Sequence, residues 1–303
     1  MIILQTVLNS VRLGVSQALT LWKARCPLWS RQLVGCPHWM FMEMDDGASR
    51  TDSATLAGVD RPVRSPRQEE KWRKREDQLL DQVQQIIDDV GFAQFNMDGL
   101  VRASDVSKGT VYNHFSSKED CLAALCCRGM TELKDMFLRA QAFDGTPREK
   151  ALAIHYAYRL HLKLHPAMSM ALVTARTAAF VEKTSPQRSA IMRHNDETLF
   201  AIAYQVIDMA VQAGDLEITD DLNETVITFM TWATSYGINM LEDTGFEHTI
   251  SQLLEKRNIA LIGANVLMDG IGMRPLSKDW DYRASWQRIA EEVFPEESQR
   301  AEL

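Results

Sequence analysis

The chain has 303 residues, room for about two domains at ~150 residues each. Hydrophobic residues make up 46% and charged residues 24%, close to the globular average, so a sizeable core is possible. The net charge of −8 argues against a protein coated all over in nucleic acid, but it leaves room for a small, local phosphate-facing patch.

The five cysteines are odd in number and include no CxxC pair, so neither a disulfide framework nor a zinc site follows from them. Residues 1–42 contain no Asp or Glu. Leu4, Leu8, Val11, Val15, Leu19 and Trp22 fall at helical spacing, and Arg12 interrupts the apolar run, which is too short and too charged for a membrane span. A secretory signal is also poor, because no basic segment precedes the apolar part. Transit peptides share this acid-poor look; the preferred reading is a natural start at Met42 or Met44. Residues 43–66 are polar, with Gly47, Gly58, Pro62 and Pro66, and read as a disordered linker. Arg61, Arg64, Arg67, Lys71, Arg73, Lys74 and Arg75 then form a basic stretch, either a solvated linker and first helical turn or an arm for phosphates or the minor groove.

From Lys71 onward the pattern is helical, without strand alternation or an internal repeat. Leu79, Leu80, Val83, Ile86, Ile87 and Val90 make one apolar stripe, and Gly91 follows where a left-handed cap ends a helix. Asn96 is the expected N-cap of a short second helix carrying Met97, Leu100 and Val101. Ser104-Asp105 reads as a turn. Ser107 is the expected cap of a third helix through Phe115, and Ser116 with Glu119 the capping box of a fourth. Short helices with a tight turn between the second and third make a helix-turn-helix.

Val106-Ser107-Lys108-Gly109-Thr110-Val111-Tyr112-Asn113-His114-Phe115-Ser116-Ser117-Lys118-Glu119 resembles the recognition-helix signature of the TetR family, and the resemblance spans about residues 70–122. It implies DNA contact by Ser107, Lys108, Gly109, Thr110, Tyr112, Asn113, His114 and Lys118. Lys108 suits guanine O6 or N7, and Gly109 lets backbone approach closely. Thr110, Tyr112 and His114 suit phosphate oxygens, and Lys118 lies in the first turn of the fourth helix, where phosphate is also favoured. Val111 and Phe115 are expected to face inward. Two departures weaken the unit. Asp105 stands where the family usually has Gly, and Gly99 lies inside the second helix at a cost of ~1 kcal/mol relative to Ala. Residues 67–120 hold eight Lys/Arg and eleven Asp/Glu, a net of 8 − 11 = −3, so binding should depend on local contacts and fall steeply with salt.

Beyond this unit the fourth helix continues through Leu122, Leu125, Met130, Leu133, Met136 and Phe137. Pro147, Pro166 and Pro186 mark helix starts, and Gly214 and Gly245 mark ends. Two strong helices are expected at about 221–242 and 248–268. The resemblance implies that they pair across a two-fold axis in a homodimer, with Gly237, Ala260, Gly263 and Ala264 permitting close approach. His155, Tyr158, Met168, Phe180, Trp232 and Tyr236 are candidates for lining a ligand pocket, against the alternative of plain core. His161 and His165 have the i, i+4 spacing of helical metal ligands, but no third ligand is evident in sequence and they read as surface histidines near a helix end.

The expectation is an all-α protein. A largely disordered extension covers 1–66, a helix-turn-helix domain 67–122, a helical effector-binding and dimerisation domain 123–272, and a tail 273–303. Its function is that of a cytoplasmic, non-enzymatic regulator without cofactor or metal. It binds double-stranded operator DNA as a homodimer and is released by an unknown small-molecule effector. The alternatives are an activator of the same type, or a helical ligand-binding protein or enzyme that has lost DNA binding. Whether the tail, with Trp280, Tyr282 and Trp286, covers the body or meets a partner is open.

Overall fold

The computed structural model describes residues 65–243 and 257–302. Among them the structure is all-α, with no strand. The first helix, α1, spans Pro66–Val90 and so begins earlier than the expected Lys71. Ser65 starts it with a reciprocal cap, its N–H donating to Gln68 Oε1 at 2.8 Å, and Pro66 occupies the first turn without a lost hydrogen bond. Arg67, Lys71, Arg73, Lys74 and Arg75 are therefore helical; Arg61 and Arg64 lie outside the described residues. Leu79, Leu80, Val83 and Ile87 are buried as the stripe requires, whereas Val90 has rotated out of it and is exposed. Gly91 ends the helix at φ 85°, where any side chain would strain the backbone.

Helix α2 is Met97–Ala103 and α3 is Lys108–His114. Asn96 Oδ1 accepts from the Gly99 N–H at 2.9 Å, and Ser107 Oγ accepts from the Thr110 N–H at 3.2 Å. The turn between them does not need glycine. Glu302 is the one non-glycine residue at positive φ among those described, so Asp105 carries no left-handed strain. Its carboxylate lies 4.0 Å from Arg75 instead.

Helix α4, Lys118–Gln141, starts on a different cap from the one expected. Ser117 is the N-cap, accepting from the Asp120 N–H at 2.9 Å. Asp120 is buried and takes the Ser116 N–H at 3.0 Å, the Ser116 hydroxyl at 3.1 Å and the Ser185 N–H at 3.0 Å. Burial opposes its charge, but these donors outweigh it and hold the carboxyl below its usual range. Glu119 is drawn away to Lys183, 3.3 Å off. The α4 helix is central. Leu122, Leu125, Met130, Leu133, Met136 and Phe137 are all buried, as are Cys121, Cys126 and Cys127.

Around α4 lie α5 (Pro147–Leu164), α6 (Pro166–Thr174), α7 (Ala178–Val181), α8 (Pro186–Gln212), α9 (Glu224–Asp243) and α10 (Ile259–Gly270). Pro147, Pro166 and Pro186 each occupy a first turn, and Gly214 follows α8 at φ 75°. Gly245 and residues 248–256 of the second expected pairing helix lie outside the described residues. His161 is buried, not on the surface, because the last turn of α5 is covered by α4.

The segment after Pro275 folds onto the body. It forms α11 (Tyr282–Arg288), a π-helical turn (Ile289–Val293) and α12 (Pro295–Arg300). Arg148 of α5 is fully buried and secures it, donating to the carbonyls of Met273 at 2.6 Å and Pro275 at 2.9 Å while pairing with Asp269 at 2.7 Å. Its guanidinium also stacks over Tyr282. Trp286 meets Tyr156 edge-on at 4.9 Å, and the Tyr156 hydroxyl and Ser298 Oγ are 2.7 Å apart.

Candidate nucleic-acid interface and ligand pocket

The α3 helix has only seven residues and divides cleanly into two faces. Val111 and Phe115 are fully buried, as expected. Ser107, Lys108, Gly109, Tyr112 and Asn113 are exposed, and Thr110 is half-buried. Lys108 and Tyr112, four residues apart, share one face, with the ammonium 5.6 Å from the ring centroid. Lys108 also lies 3.6 Å from Asp98 on α2, a solvent-exposed pair that a stronger anion can displace. Gly109 is in ordinary helical conformation. A Cβ built there would meet nothing closer than Ser107 Oγ at 3.8 Å, so the chain's own packing does not require glycine.

His114 does not join this face. It is buried, its ring stacked on Trp72 at 3.6 Å between centroids, with Nδ1 at 3.4 Å from Glu76 Oε2. The seven-residue helix turns its last residue inward, so His114 is unable to reach a phosphate outside. Lys118 is half-buried, and its ammonium donates back to the Ala93 carbonyl at 3.4 Å, near the α1–α2 turn. Glu76 also pairs with Arg188 of α8 at 2.7 Å. Ser117 Oγ donates to the Lys183 carbonyl at 2.7 Å. The start of α8 and the segment before it thus hold the end of α3 and the start of α4. Sequence reading missed Trp72, Glu76 and Arg188, because a lone Trp, Glu or Arg at helical spacing carries no signal of its partner.

A second feature lies deeper. A pocket of about 710 Å³, counting its open mouth, is lined from α4 by Met130, Leu133 and Phe137 and from α8 by Asp196, Leu199 and Phe200. Of the expected lining residues, His155, Tyr158 and Trp232 are present. Phe180 is buried elsewhere in the core, because α7 turns its ring away. Tyr236 stands behind Trp232, 6.0 Å between ring centroids, and does not reach the wall. The side chain of Met168 lies outside the described residues. The polar complement was not foreseen. Arg176 and Asp196 form an ion pair in the wall, and Thr228 contributes a buried hydroxyl with no hydrogen-bond partner. Tyr158 accepts from the Trp232 indole N–H at 3.2 Å. Burial pushes the pKa of His155 down to about 4, so its ring is neutral. The wall is otherwise apolar and aromatic, as small-molecule sites commonly are.

Comparison with known proteins agrees with the motif. The family described as "Bacterial regulatory proteins, tetR family" matches residues 79–125. The HTH-type transcriptional regulator UidR of Escherichia coli (strain K12) is 24% identical over 161 residues, 53% of this chain and 77% of that protein. A bacterial regulatory protein of the tetR family from Rhodococcus RHA1 superposes with a TM-score of 0.51 at 15% identity, over 65% of this chain and 97% of that one. A Rhodococcus sp. RHA1 protein of unknown function gives the same TM-score of 0.51 at 18% identity, over 65% of this chain and 95% of that one. At these identities the structures speak to the fold alone. No described helix is long and apolar enough to cross a membrane. The helix-turn-helix at residues 97–114 lies inside the segment that matches the tetR family of bacterial regulatory proteins, and an all-helical body follows it.

Proposed function

We propose that this TetR-family transcriptional regulator is a homodimeric, cytoplasmic repressor without enzymatic activity, and that a small molecule releases it from operator DNA. One observation carries the reading. Helix α4 follows directly on the exposed α3 face of Lys108, Gly109, Tyr112 and Asn113, and the same helix lines the pocket with Met130, Leu133 and Phe137. Helix α8 repeats the connection, touching Glu76 through Arg188 at one end and lining the pocket farther along. A ligand that prefers a shifted α4 would therefore change the placement of α3. It weakens DNA binding only by the ratio of its affinities for the two states. An effector with an apolar body suits the wall, and a polar group on it finds Thr228 and the Arg176–Asp196 pair.

Dimerisation is supported by the outer faces of α9 and α10. Phe229, Met230 and Leu241 on α9 and Ile262 and Val266 on α10 are exposed apolar side chains on two helices that pack side by side. Such a shared apolar face is a usual interface. Gly263 is used within the chain, since a Cβ there would strike the Ile238 side chain, whereas Gly237 opens to free space. Two copies would present two α3 helices to half-sites one helical turn apart.

The test is fluorescence anisotropy on DNA from upstream of the chain's own gene. Lys108→Ala should alter sequence preference, and Tyr112→Ala should weaken binding across sequences. Absence of binding at low salt on any such DNA would overturn the reading.

A further inference from the structure

Three side chains that the DNA-binding reading leaves unused meet at one place. Glu132 comes from α4, His161 from the last turn of α5 and His165 from the corner between α5 and α6. Their ligating atoms all lie within 4.8 Å of one another. His165 Nε2 is 3.2 Å from Glu132 Oε2, and the two imidazole centroids are 5.0 Å apart at 45°. That contact alone would be ordinary. His161 is what it leaves unexplained. The ring is 2% exposed, and neither nitrogen has a hydrogen-bond partner. Leaving a buried polar group unmatched costs about 1–3 kcal/mol, and such orphans commonly mark a position that something else fills.

We propose that Glu132, His161 and His165 bind one divalent transition-metal ion of the Zn²⁺ class. Two imidazoles and a carboxylate suit Zn²⁺ and its neighbours, whereas Mg²⁺ and Ca²⁺ require oxygen donors throughout. Metal–ligand bonds of ~2.0–2.2 Å need donors closer together than the widest separation here. The two outer ligands can supply that adjustment, since the side chains of His165 and Glu132 are 29% and 46% exposed. Burial, helped by His165, lowers the pKa of His161 to about 3, so it presents a neutral lone pair at neutral pH without first releasing a proton. Arg128 and Arg300 bring positive charge toward His165 and Asp88 brings negative. Arg128 is already paired with Asp81 at 2.6 Å. Three protein ligands leave a fourth position for water on the exposed side of Glu132. The ion would tie α4 to the α5–α6 corner, at a place separate from the pocket.

The experiment titrates ZnCl₂ into chelator-treated full-length protein by calorimetry and CoCl₂ by visible absorption. One ion should bind with about micromolar or tighter affinity, while MgCl₂ should give no heat. Glu132→Gln and His165→Gln, both at outer positions and checked for native helicity by circular dichroism, should each weaken uptake at least ~10-fold. Zn²⁺ should raise the Tm of the unaltered protein and not of the variants. His161→Gln should abolish uptake, but the two outer variants decide the matter if that protein fails to fold. No uptake by the unaltered chain, or uptake equal in both outer variants (as binding to cysteines would be), overturns the proposal. The readout is metal uptake, so it stands or falls separately from operator binding.

Discussion

His114 Nδ1 lies 3.4 Å from Glu76 Oε2, and the same carboxylate oxygen is 2.7 Å from Arg188. One acid thus joins the last residue of α3 to the first turn of α8, with Trp72 stacked on the outer side of the imidazole. Burial opposes ionisation of Glu76, but the bonds and charges of His114 and Arg188 outweigh it and hold the carboxyl below its usual range. The direction of the exposed α3 face is therefore set from inside the molecule.

Replacing His114 separates a positioning role from a phosphate contact. His114→Ala should destabilise the fold by about 2 kcal/mol, since it empties a buried stack and leaves Glu76 to Arg188 alone. DNA affinity should fall with it, but the slope of log affinity against log salt should not change. A residue that met phosphate as a cation would shift that slope by about 0.9. Urea unfolding and anisotropy across a salt series make the comparison.

Gly109→Ala should act in opposite directions on fold and binding. Alanine is favoured over glycine in a helix by about 0.5–1 kcal/mol, and the new Cβ meets only Ser107 Oγ at 3.8 Å. Stability should rise by that amount. If α3 lies against base edges, affinity for DNA should fall at least ~10-fold, or about 1.4 kcal/mol. Unchanged affinity would remove Gly109 from the interface.

Stability should decline as the solution is acidified below pH 6.5. His155 titrates near 6.5 when unfolded and at about 4 when folded, because burial disfavours its charge. Between those values the unfolded chain holds a proton that the folded chain does not, so stability is full above 6.5 and lost as pH falls toward 4. The slope for one such group is at most ~1.4 kcal/mol per pH unit. Glu76 and Asp120, with lowered pKa values, withdraw their contributions only at still lower pH. Denaturant midpoints at pH 7.5, 6.5 and 5.5 should show the decline, and His155→Leu should flatten part of it.

Val266→Glu should uncouple assembly from folding. Val266 is 68% exposed, so a charge there should change the stability of one chain by no more than ~0.5 kcal/mol. At an apolar two-fold interface the charge would be desolvated twice, and association should weaken by several kcal/mol, at least ~30-fold. Sedimentation equilibrium distinguishes the outcomes; an unchanged oligomeric state would place any interface elsewhere.

The sequence by itself determined what depends on near neighbours. The α1 stripe, the Asn96 and Ser107 caps, the first-turn prolines and the Val106–Phe115 motif were legible because helical periodicity and capping act over three or four residues. Where local options competed, sequence chose less well. Ser117 is the cap in place of Ser116, whose N–H and hydroxyl both go to Asp120, a carboxylate also held by Ser185, 65 residues away. Tertiary structure alone decided which polar residues face inward: His114 against Trp72, Arg176 against Asp196, Arg148 beneath Tyr282, and Glu132 beside His161 and His165. Hydrophobic periodicity shows which face of a helix is covered, but not what covers it. Partners tens of residues apart meet only once the core has set the placement of every helix.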